Sequence, residues 1–494
     1  MSKLRILAGQ TAVYGISSIL GRIINYFLVG LHTAVFLLDE MGVVSELYGT
    51  MALLLIVITF GMETTFFRFY TKTHDKHTYQ VAATLVVIIS LAVALLISLQ
   101  PEHFGRLILG SHFQPEHTIL FQLLAGIILI DGLTAIPFAR LRLENKPVRF
   151  AVTKITAILA NILLQILFLL IFPAIYNNEY LPWLKPLVDT FYNPHFGIEY
   201  IFIANLLSNL LYFPMLAREF LLMRPSIKWP VLKPMLLYAT PLVLTGIAGW
   251  FVSDLDKLAV AWWAADGLSN HGVYTQTFKL GALMMLAIQA FRYAAEPFFF
   301  AQASDKQAPQ LYARTLHYFV IFGLLLLLGV SLNIDWIAPI FLRKAEFRTA
   351  LYLVPIIMFG KLLYGVYINI SIWYKLKDKT HYGLLFTGIG AVVALAANYL
   401  LLPLIGILGS ALAIVLSYGA MSLACYLLGR QHLPIPYRFA PLAVYTLIFG
   451  GLVLGGFLVK LANPVWDTAL NLLVSAIAVM LVYLLERKNL LQPT

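Results

Sequence analysis

The chain has 494 residues, of which 61% are hydrophobic and 12% charged, and its formal net charge is +11. Soluble domains carry about 25% charged residues, so this composition excludes an ordinary soluble fold. A single cysteine, Cys425, excludes any intramolecular disulfide and any multi-cysteine metal site.

The chain begins MSKLR and then runs apolar for about 27 residues. That is longer than a signal-peptide core and has no small-residue cleavage site, which predicts a retained first helix near 10–37. Further apolar runs, each long enough to cross a bilayer core, predict helices near 43–70, 78–99, 117–139, 148–173 and 198–222. The longest candidate loop, about 174–197, separates the last two. A second series follows near 234–263, 272–302, 311–333, 347–373, 380–402 and 405–429, and two more helices near 436–459 and 465–485. Pro137 and Pro241 fall inside helices and mark either bends or plain packing kinks.

Three matches suggest an internal duplication. Gly42-Val43 corresponds to Gly272-Val273, METTFFRF (62–69) to AAEPFFFAQ (294–302), and the stretch around Asn161 to that around Asn398. Each match alone is weak, because apolar sequence aligns easily with itself, but three at offsets of about 230–237 residues are better evidence. The predicted fold is an all-α polytopic membrane protein with about 14 transmembrane helices. One six-helix lobe covers 1–230, a second 231–433, and two additional helices lie over 434–494. Corresponding points are six helices apart, so both lobes share one orientation, with a site expected between them.

The positive balance reads as membrane orientation and not as nucleic-acid binding. With a cytoplasmic N-terminus, about 21 of the 34 Lys and Arg fall on cytoplasmic segments and about 6 on the other side. Both termini are then cytoplasmic. Arg343, Lys344 and Arg348 are the exception, placed outside.

The remaining basic residues, Arg22, Arg68, Lys154, Lys257, Lys279, Arg292 and Lys361, lie within the spans. Each costs about 2.5–3.5 kcal/mol at mid-membrane, so such residues face a cavity or a partner. On the first helix Gly15, Ser18, Arg22, Asn25, Val29 and His32 share one face. A tight helix seam explains Gly15 and Ser18 but not Arg22, so the stripe is expected to line a cavity, with Ser18, Arg22 and Asn25 touching an anion. Gln289, Arg292 and Glu296 repeat the theme at i, i+3 and i+7, although Arg292 and Glu296 have the spacing to neutralise each other. Lys279 and Lys361 are either cavity-lining or snorkelled residues.

Glu63, Asp131, Asp254, Asp256 and Glu296 are acids at similar depth and are candidates for carrying a coupling proton or sodium ion. Asp254 and Lys257 are spaced to pair, which leaves Asp256 on another face; Asp131 has no partner legible in its own helix. The letters D-x-D at 254–256 sit in an apolar span, not on a soluble loop, and are not read as a nucleotide-sugar site. No catalytic motif, paired-histidine metal spacing or phosphate loop occurs, so no cofactor or metal is expected and an ion, voltage or substrate gradient must drive the work.

GQTAVYGISSILGRIINYFLV (9–29), FGMETTFFRF (60–69), QAFRYAAEPFFFAQ (289–302), NISIWYKLKDKTHYG (369–383) and NYLLLPLIGILGSALA (398–413) give the chain a further likeness. Together they resemble the multidrug/oligosaccharidyl-lipid/polysaccharide exporter superfamily, and specifically its Wzx-type polysaccharide-biosynthesis flippases. The resemblance implies fourteen helices, alternating access between two lobes, and the bacterial cytoplasmic membrane. The implied substrate is a lipid-linked oligosaccharide on undecaprenyl diphosphate, destined for surface polysaccharide such as O-antigen or capsule. Membrane lipids, a polysaccharide polymerase and glycosyltransferases are the implied partners. Two other readings stand beside it. An ion-coupled drug exporter of the same superfamily would favour acids over bases in the cavity. A membrane glycosyltransferase or polymerase would need a sizeable extramembrane loop, which the chain lacks.

Overall fold

The computed structural model describes residues 26–491 apart from 74, 145, 265–266, 303–304, 378 and 380. The side chains at 76, 293–294, 296–298, 300–301 and 488–491 are likewise outside the described residues. Among the described residues all regular structure is helical.

Eleven helical segments among the described residues are long and apolar enough to cross a membrane. Their outward side chains are themselves oily: Leu237, Leu404, Leu447 and Leu458 are 70–77% exposed. Water does not tolerate apolar surface on that scale, whereas lipid requires it. The chain is a multi-pass membrane protein. The eleven correspond to all but three of the fourteen expected spans. Most of the expected first helix lies outside the described residues, which begin in Tyr26–Val35. The sixth is broken into Glu199–Leu210, Tyr212–Met215 and Ala217–Leu221. The eighth is divided into Gly267–Gly281 and Leu283–Ala301, where a Cβ on Gly281 would lie 2.5 Å from Ile357.

Two compact units form, the first running to Trp262 and taking in 267–272, the second taking in 263–264 and running on from Val273. The first is organised around α1 (Thr118–Leu143), its most buried span, which packs on α2 (Lys76–Leu99), α3 (Glu199–Leu210) and α4 (Leu38–Thr59). Gly132 permits the approach to α2, because a Cβ there would overlap the Ser90 hydroxyl. Helix α4 continues after a bend at Phe60 and Gly61, both at positive φ, into α5 (Met62–Thr73). The helix Trp229–Ser253, at the expected start of the second lobe, packs on α4 and α5 and so falls in this first unit. Its predicted continuation to 263 is interrupted at Asp254 (φ −135°), and a separate helix, Leu255–Trp263, follows.

In the second unit Ile407–His432 packs along both His381–Ile405 and Val354–Ile370. Small residues hold these axes together: a Cβ on Gly360 would come within 2.7 Å of Ile414. The two C-terminal helices, Phe439–Leu458 and Pro464–Leu491, pack on Ala308–Leu332. Glu486, 6% exposed, accepts from Tyr445 at 3.0 Å and meets His317 Nε2 at 3.0 Å, joining all three helices at one buried carboxylate.

Candidate functional site

Within the first unit, Glu63 on α5 bonds Arg142 at the end of α1 at 2.5 Å. The Arg142 guanidinium also lies over the rings of Phe67 and Phe150. Lys154, one helix on, is within electrostatic reach of Asp131, Glu63 and Arg142, and its ammonium sits 4.1 Å from the Phe138 ring. Asp131 accepts a hydrogen bond from Asn209 at 3.1 Å. The partner missing from its own helix thus comes from α3, 78 residues away. Acids and bases from three helices thus lie within electrostatic reach of one another, where desolvation makes each pairing matter more than it would in water.

A second group in the same unit gathers at the break after Ser253. Lys257 donates to Asp254 at 2.6 Å and to the Ser253 carbonyl at 3.1 Å, and the Ser253 hydroxyl bonds Asp254 at 2.5 Å. The pairing of Asp254 with Lys257 read from their spacing is present. Asp256 is 4% exposed, within electrostatic reach of Lys257, which also lies near the buried His271. Trp262 donates to Glu46 at 2.9 Å close by.

On the first-helix stripe, His32 bonds Gln165 at 2.5 Å, and Gln165 donates to Asn161 at 3.0 Å. Both partners lie on Pro147–Ile166, just before a π-helical turn at Leu167–Ile171. Single π turns inside α-helices recur at functional positions. The stripe's Ser18, Arg22 and Asn25 lie outside the described residues.

In the second unit Lys279 and Lys361 each lie against neutral groups. Lys279 donates to the Gln276 amide oxygen at 2.8 Å. Lys361, 4% exposed, lies 4.8 Å from the Phe278 ring and 5.2 Å from that of Tyr418. Gln289 keeps a buried amide oxygen without a hydrogen-bond partner among the described residues. Arg292 is exposed on Leu283–Ala301, and the Glu296 side chain on the same helix is not among those described.

No family model matches the sequence, and no curated protein matches it. Solved structures do. One described as the lipid II flippase MurJ, in an inward closed conformation, superposes with a TM-score of 0.72, covering 97% of this chain and 100% of that one at 15% identity. An inward-facing multidrug resistance MATE family transporter of the MOP superfamily gives 0.65 over 90% and 99% at 14% identity. The fold is that of MOP-superfamily transporters. A further MOP superfamily transporter, from Pyrococcus furiosus and described as having a binding pocket of reversed polarity, gives 0.59 over 90% and 99% at 15% identity.

On this MOP-type scaffold, sequence reading singled out most of the intramembrane charges but missed their long-range partners. Arg142, which the sequence gives no reason to place within a span, pairs with Glu63. Arg149 grips Glu219 with two bonds of 2.9 and 2.8 Å, and Glu219 is 1% exposed. Glu46, His317 and Glu486 carried no local signal at all, because their partners lie 169 or more residues away or on helices met only in the fold.

Proposed function

We propose that this protein is a flippase that moves an oligosaccharide on undecaprenyl diphosphate across the bacterial cytoplasmic membrane for surface polysaccharide assembly. Alternating access carries the headgroup from the cytoplasmic to the outer leaflet, with both termini cytoplasmic. The observation carrying this reading is that Lys279, inside the second unit, rests on a neutral amide. A cation held that way keeps its field for an anionic headgroup, and a diphosphate is one. The likeness to a lipid flippase also extends over 97% of this chain, against 90% for the MATE structures. Arg22, Ser18, Asn25, Gln289, Arg292 and Lys361 complete the proposed headgroup contacts. Asp254, Asp256, Glu63, Glu296 and Asp131 are the candidates for ion coupling with a proton or sodium ion, and a polymerase and glycosyltransferases are the expected biosynthetic partners.

Neutralising Arg22 or Arg292 is expected to abolish surface glycan in a complemented deletion strain while membrane levels of the protein persist. Lysine restores part, since it lacks bidentate geometry. Normal glycan display by both Arg22→Ala and Arg292→Ala removes them from the site. A second reading, an ion-coupled exporter of small molecules, is favoured by the paired carboxylates of the first unit and by the MATE likeness. Drug accumulation in cells that retain normal surface glycan, dependent on this protein, would select it.

A further inference from the structure

The segment 177–197, between the span ending at Tyr176 and α3, is a built structure. Tyr192 stacks on Tyr200 at 5.4 Å and 8°, and Tyr200 on Phe168 of the preceding span at 4.9 Å and 15°. The Tyr200 hydroxyl donates to the Asn193 carbonyl at 3.0 Å and accepts from the Asn193 N–H at 2.6 Å. The chain reverses through positive φ at Asn178 and Leu181. It then enters a turn, Pro182–Leu184, that runs into the helix Lys185–Phe191.

Helical spacing divides this stretch into three arcs. Val188, 3% exposed, points into the protein. Trp183, Leu187 and Phe191 follow i, i+4 and i+8 along a neighbouring arc, 73%, 58% and 69% exposed. Lys185 and Asp189 occupy the opposite flank, with the Lys185 ammonium 5.1 Å from the Tyr176 ring. A stacked, hydrogen-bonded loop therefore holds one tryptophan, one leucine and one phenylalanine outward in a row. This row stands a few residues beyond the end of a bilayer-crossing helix whose own Leu163 and Leu170 are 64% and 49% exposed. The membrane–water interface begins at the end of that span, and Trp and Phe on one flank with charge on the other is the pattern that lies in it.

We propose that residues 182–191 are an interfacial anchor: Trp183, Leu187 and Phe191 enter the headgroup–acyl boundary of the leaflet at that end of the span, while Asp189 stays in water. Its assignment to the outer leaflet rests on the topology proposed above; the anchor itself does not. The test uses the full-length protein in sealed liposomes, carrying one nitroxide label on Leu187→Cys, Phe191→Cys or Asp189→Cys, with Cys425 buried and unlabelled as the control. Labels at 187 and 191 are expected to be relaxed more by oxygen than by a water-soluble nickel chelate, and the label at 189 in the reverse order. Nickel access at 187 and 191 equal to that at 189 would put the row in water and overturn the anchor. Shielding of both labels from both reagents would mean that protein covers the row, and overturns it equally. Should the labels perturb the loop, Trp183→Phe serves instead. Lipids brominated near the headgroup should quench a fluorescence component that this variant lacks, and an unquenched Trp183 would sink the idea. Chelate added to one side reads the leaflet: access to 189 from the side of the termini would refute the topology and leave the anchor standing.

Discussion

In the N-terminal unit Arg142, Arg149 and Lys257 each meet a carboxylate within 2.5–2.9 Å, whereas in the C-terminal unit Lys279 lies on an amide oxygen and Lys361 on two aromatic rings. An ion pair between helices fixes their register and cancels most of its own field. A cation on an amide or a π face is desolvated and oriented but keeps its charge visible. Under the proposed function, Arg142, Arg149 and Lys257 hold helices together, and Lys279 presents its charge to the headgroup. The two kinds of lysine or arginine then differ in what their loss does: one costs fold stability, the other costs transport.

The largest effect is expected at Arg149→Ala. Removing the guanidinium strands Glu219, which is 1% exposed, with neither of its two strong donors. Breaking one side of a buried pair costs about 3–5 kcal/mol; Arg149 is a third exposed, so the lower end applies. Thermal unfolding in nanodiscs should show a marked drop, and the double change Arg149→Met with Glu219→Leu should recover most of it. A single variant as stable as the natural protein would break the contrast at its structural end.

Lys279→Gln should do the opposite. No carboxylate is stranded, so unfolding is expected to move far less than in Arg149→Ala. Transport of the lipid-linked substrate into proteoliposomes should fall at least about tenfold, equivalent to roughly 1.4 kcal/mol of lost interaction. Lys279→Arg, which keeps the charge, should retain much of the rate. Equal loss with both substitutions would mean that packing and not charge is what Lys279 supplies.

The carboxylates sharpen the same division. Asp254 is committed to Lys257 and Ser253, so Asp254→Asn is expected to act chiefly on stability. Asp256 and Asp131 are the acids on which coupling is to be tested. In either Asp→Asn variant, transport should persist but lose its response to an imposed proton or sodium gradient. A variant that keeps both its rate and its gradient dependence assigns that aspartate to the structural set.

Most of the spans were legible in the sequence because hydropathy is a local property summed over twenty residues. The Asp254–Lys257 pair was legible for the same reason, since three residues separate its partners on adjoining turns. Interruptions at Asp254 and within 198–222 were not. The first depends on a backbone conformation that an apolar run does not encode, and the second surrounds Pro214, a breaker that the apolar run conceals, whereas Pro241 lies inside a continuous helix. The partners of Glu63 and Asp131, 79 and 78 residues distant, were beyond reach, because nothing along one helix states which other helix will lie against it.

The smallest expected effect compares Asn398 with Asn161, the two asparagines that the sequence matches set against each other. Asn398, 1% exposed, accepts from the Ser410 hydroxyl at 2.7 Å and donates to the Ala394 carbonyl at 2.8 Å. Asn161, partly exposed, accepts from Gln165, whose own oxygen is bonded to His32. Intramembrane side-chain hydrogen bonds are worth about 0.6 kcal/mol on average and about 1.7 at most. Asn398→Ala removes two bonds at a fully packed helix crossing and leaves the Ser410 hydroxyl buried without its acceptor, so its cost should approach that upper value. Asn161→Ala removes one bond and leaves Gln165 still held by His32, so a cost near the average is expected. Unfolding measured side by side separates the cases. A larger loss at Asn161 would mean that the His32–Gln165–Asn161 chain, and not the packed C-terminal crossing, is the tighter polar joint, and it would reverse the order argued here.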